Sequence, residues 1–305
     1  MQLTNKFNLP PAIAEAVRND PYSRGDSDIS VTQLIGPPQI RKLYEQHENK
    51  LVQDVSERIW ALLGQAVHTI LERAEPSGIA ESRLFAEIDG YKLSGQLDSH
   101  QFVQQSLYDY KVTSAWTILR GPRDEWVKQQ NIYRWLAFKN GMTINNLFIG
   151  AILRDWSRKK ARDDSNYPQT PSLILTLPVW TIEETEIYIR ERLTIHFSDE
   201  IPDCTDEDRW ATEPVWAVMK EGRKTAIRVT GLSTQRSALE WAAANGHADQ
   251  SNEGDIVLRS KIFIQERPRT FIRCADQYCP VTEHCPQWKR EQELSVQPRA
   301  ESEET

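Results

Sequence analysis

Ser94-Gly95-Gln96-Leu97-Asp98, followed by Tyr108-Asp109-Tyr110-Lys111, decides how this chain is read. In an extended strand side chains alternate faces, so Asp109 and Lys111 share one face and Tyr110 points into the opposite layer. If Gln96 to Asp98 pairs with Leu107 to Val112 as a hairpin, Asp98 reaches the same edge and two carboxylates converge on one divalent cation. A hard, oxygen-ligated site beside a lysine suits attack of water on phosphate. A D-x-K triplet alone is equally the charge alternation of a solvated sheet face, so its neighbours must carry the argument.

Upstream, Val55, Ile59, Leu62, Leu63, Ile70 and Leu71 predict the apolar face of a helix that begins near Asp54 and carries His68 and Glu72 four residues apart. A histidine there is also a common surface or core residue. Downstream, Trp126 to Leu136 predicts a second helix on which Gln129 and Tyr133 are again four apart and face one groove.

The ordered set of a glycine-bearing helix with histidine, a G-x-x-D strand, a D-x-K strand and a Q-x-x-x-Y helix, spanning Gly64 to Tyr133, resembles the RecB-like branch of the PD-(D/E)XK nuclease superfamily. That branch includes the iron-sulfur nucleases of CRISPR adaptation, helicase-associated exonucleases and stand-alone exonucleases of phages. The resemblance implies an α/β restriction-endonuclease-like core, with a central mixed sheet flanked by helices. It makes His68, Asp98 and Asp109 the side-chain ligands of Mg2+ or Mn2+, with the backbone carbonyl of Tyr110 as a further ligand. Lys111 would position or activate the attacking water. Gln129 and Tyr133 would steady the DNA strand and the surroundings of the lysine, and Glu87 would be a water-mediated outer residue. The segment Asp28 to Ile35, followed by Pro37-Pro38, is similar to the family's opening strand and proline-started helix. The activity expected is metal-dependent DNA exonuclease or end processing in recombination, replication or repair, alongside a protein partner. A nuclease-like DNA-binding or partner-binding subunit is the alternative.

With 39% hydrophobic and 27% charged residues the composition is that of an ordinary soluble chain. No apolar run approaches the roughly 20 residues that span a bilayer, and the N-terminus lacks a signal-peptide core. A cytoplasmic protein without a membrane partner is expected. The formal charge of −7 is uneven: from Asp109 to Arg162 there are eleven Lys or Arg against four Asp or Glu, an excess of seven positive charges. Arg154, Arg158, Lys159, Lys160 and Arg162 are its densest part and read as a phosphate track or as a solvated loop. Apolar Leu147 to Leu153 predicts a central strand and Ser172 to Val179 another, separated by a polar loop from Arg158 to Pro171. Glu183 to Ile195 predicts a helix.

These elements place the nuclease-like core in residues 1–200. Residues 201–288 read as a ββαβ module: Trp216 to Lys220 and Thr225 to Val229 as a hairpin, Ser233 to Asn245 as a helix capped by Ser233, and Ile256 to Glu266 as a strand. All four cysteines bracket it, as Cys204, Cys274, Cys279 and Cys285. An iron-sulfur centre, a zinc site (with His284 as a substitute ligand) and free structural thiols all stay open. The resemblance favours a 4Fe-4S cluster, although there the first cysteine commonly precedes the nuclease core. Residues 289–305 read as a disordered acidic tail. Of the ten tryptophans, Trp126, Trp135, Trp156, Trp210, Trp216 and Trp288 are candidates for base stacking or for the core.

Overall fold

The computed structural model describes residues 1–20, 23–74, 79–251 and 255–296. Two compact units emerge, Met1–Pro202 and Asp203–Thr305.

The first unit opens with β1 (Gln2–Thr4), α1 (Pro11–Arg18), β2 (Ile29–Ser30), α2 (Val31–Ile35), α3 (Pro38–His47) and β3 (Val52–Asp54). Ser30 caps α2 in a capping box with Gln33, and Pro38 starts α3, where a missing N–H costs nothing. β3 pairs in parallel with β1, and Asp54 accepts hydrogen bonds from the Thr4 hydroxyl and the backbone N–H groups of Lys6 and Ser56. These bonds, led by that from Lys6, hold its carboxyl far below the usual carboxylate range. The N-terminal strand is thereby tied to the turn Val55–Arg58 that launches α4 (Ile59–Ala74).

Then follow β4 (Ile79–Ile88), β5 (Tyr91–Gln101), β6 (Ser106–Thr113), α5 (Ala115–Ile118), α6 (Asp124–Lys139), β7 (Asn146–Leu153), α7 (Arg158–Asp163), β8 (Ser172–Thr176) and α8 (Ile182–His196). The six-stranded sheet runs β2-β5-β6-β7-β8, with β4 also on β5. It is mixed: β2 is parallel to β5 and β6 to β7, and the remaining pairs are antiparallel. The β4–β5 hairpin turns at Asp89-Gly90, both in the left-handed region as a tight two-residue turn requires. Leu147, Ile149, Ala151 and Leu153 alternate inward from β7 and meet the buried Ile132, Trp135 and Leu136 of α6 in one core. The fold is thus α/β, a central mixed sheet flanked by helices.

Two expectations for this unit change. In α4 no residue is fully buried: of the apolar stripe read from the sequence, Leu63 and Ile70 are exposed and Ile59, Leu62 and Leu71 are half-buried, with Leu62 packing beside the buried Val55 of the preceding turn on a small core. The polar stretch from Arg158 to Pro171 begins as α7, because Ser157 caps it by accepting from the Lys160 N–H.

The second unit contains β9 (Val215–Lys220), α9 (Gln235–Ala244), β10 (Ala248–Gln250), β11 (Ile256–Leu258), β12 (Ile262–Arg267), α10 (Ile272–Ala275) and α11 (Pro286–Val296). The expected hairpin does not form. β9 pairs along its whole length with β12, which offers a matching alternating run, and Thr225 to Val229 contributes a single bridge at Val218–Arg228. Left-handed Lys261 breaks the strand expected from Ile256 to Glu266 in two, so the described order is β-α-β-β-β. Thr234, in a capping box with Ser237, takes the capping place given to Ser233. The start of the expected tail is helical: α11 runs to Val296 on good helix formers such as Lys, Arg, Gln and Glu, with Pro286 opening it. The expectation for 297–305 lies outside the described residues. Among the described residues no helix is long and apolar enough to cross a membrane.

Candidate functional site

Asp98 stands where the sheet divides. β5 pairs with β6 at Ser99–Tyr108, His100–Leu107 and Gln101–Ser106, and the ladder stops there. Beyond it the Tyr110 N–H has no carbonyl opposite, and the Asp98 side chain takes the bond instead, with Oδ2 accepting at 2.8 Å. This substitution brings the carboxylate to the edge that carries Asp109 and Lys111. The same Oδ2 also lies 3.3 Å from Nδ1 of His68 on α4, and that hydrogen bond to Asp98 raises the imidazole pKa above its ordinary value.

Asp109 is 2% exposed. Lys111, one full pleat further along the same face, donates to its Oδ1 at 3.0 Å and sits 2.7 Å from its Oδ2, which receives no aligned hydrogen bond. Burial, assisted by the Asp98 charge, outweighs the lysine and pushes the Asp109 carboxyl up to about 6. Burial acts on Lys111 the other way, but the Asp109 charge and hydrogen bond prevail and keep the ammonium form favoured. Lys111 Nζ also donates to Gln129 Oε1 at 3.2 Å, and Gln129 Nε2 donates to the Tyr133 hydroxyl at 2.9 Å. The i, i+4 spacing on α6 makes this relay, and both residues are buried.

Two glycines make room for it by close approach. A Cβ on Gly95 would fall 2.7 Å from the Tyr133 ring and from Leu136, and one on Gly150 would fall 2.7 Å from the Tyr110 ring. Only hydrogen fits either place.

Seven expected residues therefore meet: His68, Asp98, Asp109, Tyr110, Lys111, Gln129 and Tyr133. Glu87 does not join them. It is exposed and pairs in register with Lys92 near the far turn of the β4–β5 hairpin. Glu72 is exposed as well. Of the basic run, Arg154 lies over the Trp60 ring at 4.7 Å and Lys160 over the Trp116 ring at 4.8 Å. Lys159 and Arg162 lean on Asp163, at 3.8 and 3.6 Å, and Arg158 is exposed. The stacking candidates Trp126 and Trp135 are core residues, at 6% and 0% exposure, and Trp156 donates to the Pro168 carbonyl. Trp216 packs on the second unit's core, Trp288 is half-buried and Trp210 is exposed.

In the second unit the four thiols are gathered closely enough for their charges to act on one another. Burial first, then neighbouring charges, push Cys204 up to about 12 and Cys274 up to about 11; in both, ionised Cys279 and Cys285 act in the same direction. Burial also raises Cys279. Gln287, which sequence reasoning passed over, clamps the peptide of Cys204 from both sides: its Oε1 accepts from the Cys204 N–H at 3.0 Å and its Nε2 donates to the Cys204 carbonyl at 2.9 Å. The Trp288 N–H points at Cys285 Sγ, 3.5 Å away. His284 is half-buried on the short turn Thr282–His284 between Cys279 and Cys285.

Among the described residues no group of three or more His, Cys, Asp or Glu side chains is arranged to hold a metal ion. In the first unit the imidazole of His68 and the ammonium of Lys111 lie against the carboxylates. The donor types nonetheless suit a hard divalent cation: two carboxylates, one with an unfilled buried oxygen, an imidazole and a nearby backbone carbonyl. Four clustered thiols suit a soft or borderline metal.

No family model matches the chain, and no curated protein matches it. Among solved structures, SSO0001 aligns at 16% identity and a TM-score of 0.45, over 65% of this chain and 88% of that one. A candidate exonuclease from Eubacterium rectale aligns at 16% identity and a TM-score of 0.32, over 54% of this chain and 65% of that one, slightly under two thirds of its length.

Proposed function

We propose that the protein is a metal-dependent DNA nuclease of the PD-(D/E)XK, RecB-like type, acting as an exonuclease or end-processing enzyme in recombination, replication or repair. The observation that carries this reading is the buried Asp109 carboxylate, with one oxygen free of hydrogen bonds, facing Lys111 and the Asp98–His68 pair. A Mg2+ or Mn2+ ion held by His68, Asp98, Asp109 and the Tyr110 carbonyl would supply charge neutralisation at the phosphate and acidify water. Asp98 and His68 hold one another at 3.3 Å. Lys111 is held by Gln129, which Tyr133 fixes in turn, so its ammonium keeps one position from which to orient a nucleophile. In the second unit, Cys204, Cys274, Cys279 and Cys285 would hold a 4Fe-4S cluster, with zinc as the alternative, as a structural clip.

End-labelled single-stranded and duplex DNA incubated with the protein and Mg2+, Mn2+ or EDTA tests the reading. Cleavage with metal and none in EDTA is expected. Asp109→Ala should lower the rate at least a hundred- to thousandfold while leaving the fold and DNA binding largely intact, and Lys111→Ala should be severely impaired. Undiminished cleavage by either variant would overturn the assignment.

A further inference from the structure

Two tryptophans outside any core flank the end of β6. Trp60 on α4 is 63% exposed and Trp116 on α5 is 57% exposed, whereas Trp135 and Trp126 of α6 are buried. Each exposed ring carries its own cation, Arg154 at 4.7 Å and Lys160 at 4.8 Å. Both lie in the stretch with the surplus of seven positive charges. The two rings are tied to one framework. The Arg154 N–H donates to the Thr113 carbonyl at the end of β6. The next residue, Asp155, accepts from the Ser114 hydroxyl at 2.6 Å and the Ala115 N–H at 2.7 Å, which fixes the start of α5. Behind Trp116 stands the buried Tyr167, edge-on at a centroid distance of 6.4 Å.

From Lys111 to Thr113 is two strand residues, about 7 Å. From His68 back to Trp60 is eight helical residues, about 12 Å, with Gly64 midway offering open space where a side chain would stand. The rings therefore lie within a few nucleotides' reach of the carboxylate site. Exposed indoles paired with cations complement a strand that has both unpaired bases and phosphates. A duplex hides its base faces, and a purely apolar partner gains nothing from the cations.

We infer that Trp60 and Trp116, with Arg154 and Lys160, form a platform that stacks unpaired bases of single-stranded DNA beside the site. Its placement as a substrate guide rests on the nuclease reading above, but the binding itself does not need that reading. The test is anisotropy of a labelled 20-nucleotide oligothymidylate and of a duplex of the same length, in EDTA, over a range of salt. Trp60→Ala and Trp116→Ala should each weaken oligothymidylate binding about five- to a hundredfold and leave duplex binding within about twofold. Trp60→Phe and Trp116→Phe should retain most of the affinity, and Lys160→Gln should flatten the salt dependence. Oligothymidylate affinities equal to wild type in folded alanine variants would overturn the platform, as would phenylalanine variants no better than alanine. Cleavage by the wild type with Mn2+ is scored separately. Cleavage together with unaffected alanine variants rejects the platform alone. Tryptophan-dependent binding without cleavage supports the platform and rejects the nuclease.

Discussion

Asp109 and the thiols of Cys204, Cys274 and Cys279 face the same physical problem and meet it differently. Burial pushes each toward its neutral form, the carboxyl up to about 6 and the Cys204 and Cys274 thiols up to about 12 and about 11. Asp109 has the Lys111 ammonium 2.7 Å away, supplied by its own strand. Beside Cys204 and Cys274 the neighbouring charges are mostly negative: Asp208 acts on Cys204, and ionised Cys279 and Cys285 raise both further, while Arg273, with Arg209 beside Cys274, pulls the other way but too weakly to win. The first region thus carries its countercharge in the chain, while ionising the second calls for a cation from outside. The scaffolds differ correspondingly. Asp109 and Lys111 sit in a strand bonded on one flank to β7, whereas the cysteines sit on loops and single turns.

The largest effect should come from removing a cysteine. If the thiols hold one centre, protein purified without oxygen should be brown, and any one Cys→Ala change should bleach the visible absorbance of thiolate-bound iron completely. Proteolysis within 203–273 should accelerate before DNA cleavage is lost, because the change removes a clip and not the nuclease site. A colourless protein with one equivalent of zinc would keep the clip and reject the cluster. Metal-free protein with four titratable thiols would break the comparison, since the second region would then need no cation.

A smaller effect is expected at Gln129, the neutral neighbour that fixes Lys111. Gln129→Ala removes the acceptor 3.2 Å from Nζ and leaves both Asp109 and Asp98 in place. Cleavage should fall roughly ten- to a hundredfold, with metal affinity by titration within a few-fold of wild type. Tyr133→Phe, which removes one hydroxyl behind the glutamine, should fall less. A loss of metal affinity as great as that of Asp98→Ala would show that Gln129 belongs to the cation site and does not act through the lysine.

The sequence made the first region legible because its logic is local. Strand alternation alone puts Asp109 and Lys111 on one face, and helix periodicity alone pairs Gln129 with Tyr133. The splitting of β5 from β6 at Ser99 is not legible, since it goes with the distant β2 pairing with β5 at Leu93 and Ser94, and with it goes the true neighbour of Asp98, the Tyr110 N–H. Exposure was harder still. Periodicity shows that α4 has an apolar stripe but not whether anything covers it, so it does not distinguish the exposed Trp60 from the buried Trp126 and Trp135. In the second unit the partner of β9 is β12, which starts at Ile262, 42 residues after β9 ends at Lys220, a long-range pairing that local pattern cannot decide.

The smallest effect sharpens the comparison inside the first unit. His196 on α8 is 1% exposed, and the charges acting on it are the cations of Arg192 and Arg41. Its Nδ1 accepts from Arg41 Nε at 3.2 Å, and its Nε2 lies 2.9 Å from the Leu34 carbonyl oxygen and 3.3 Å from Arg192 Nη2. Burial, followed by the Arg192 charge, lowers its pKa to about 4. Between that value and the ordinary 6.5 the unfolded chain binds a proton that the folded chain refuses, so stability is full above about pH 6.5 and falls as pH drops toward 4. The slope from this one group is at most about 1.4 kcal/mol per pH unit. His196→Gln removes the titration, so urea midpoints at pH 7 and pH 5 should lie closer together in the variant than in the wild type. Asp109 acts with the opposite sign in part of this window, but it is common to both proteins and cancels in the difference. Equal shifts would mean that His196 is protonated in the folded state despite its burial. The contrast between paired and unpaired buried groups would then fail in the unit where the partners are best defined.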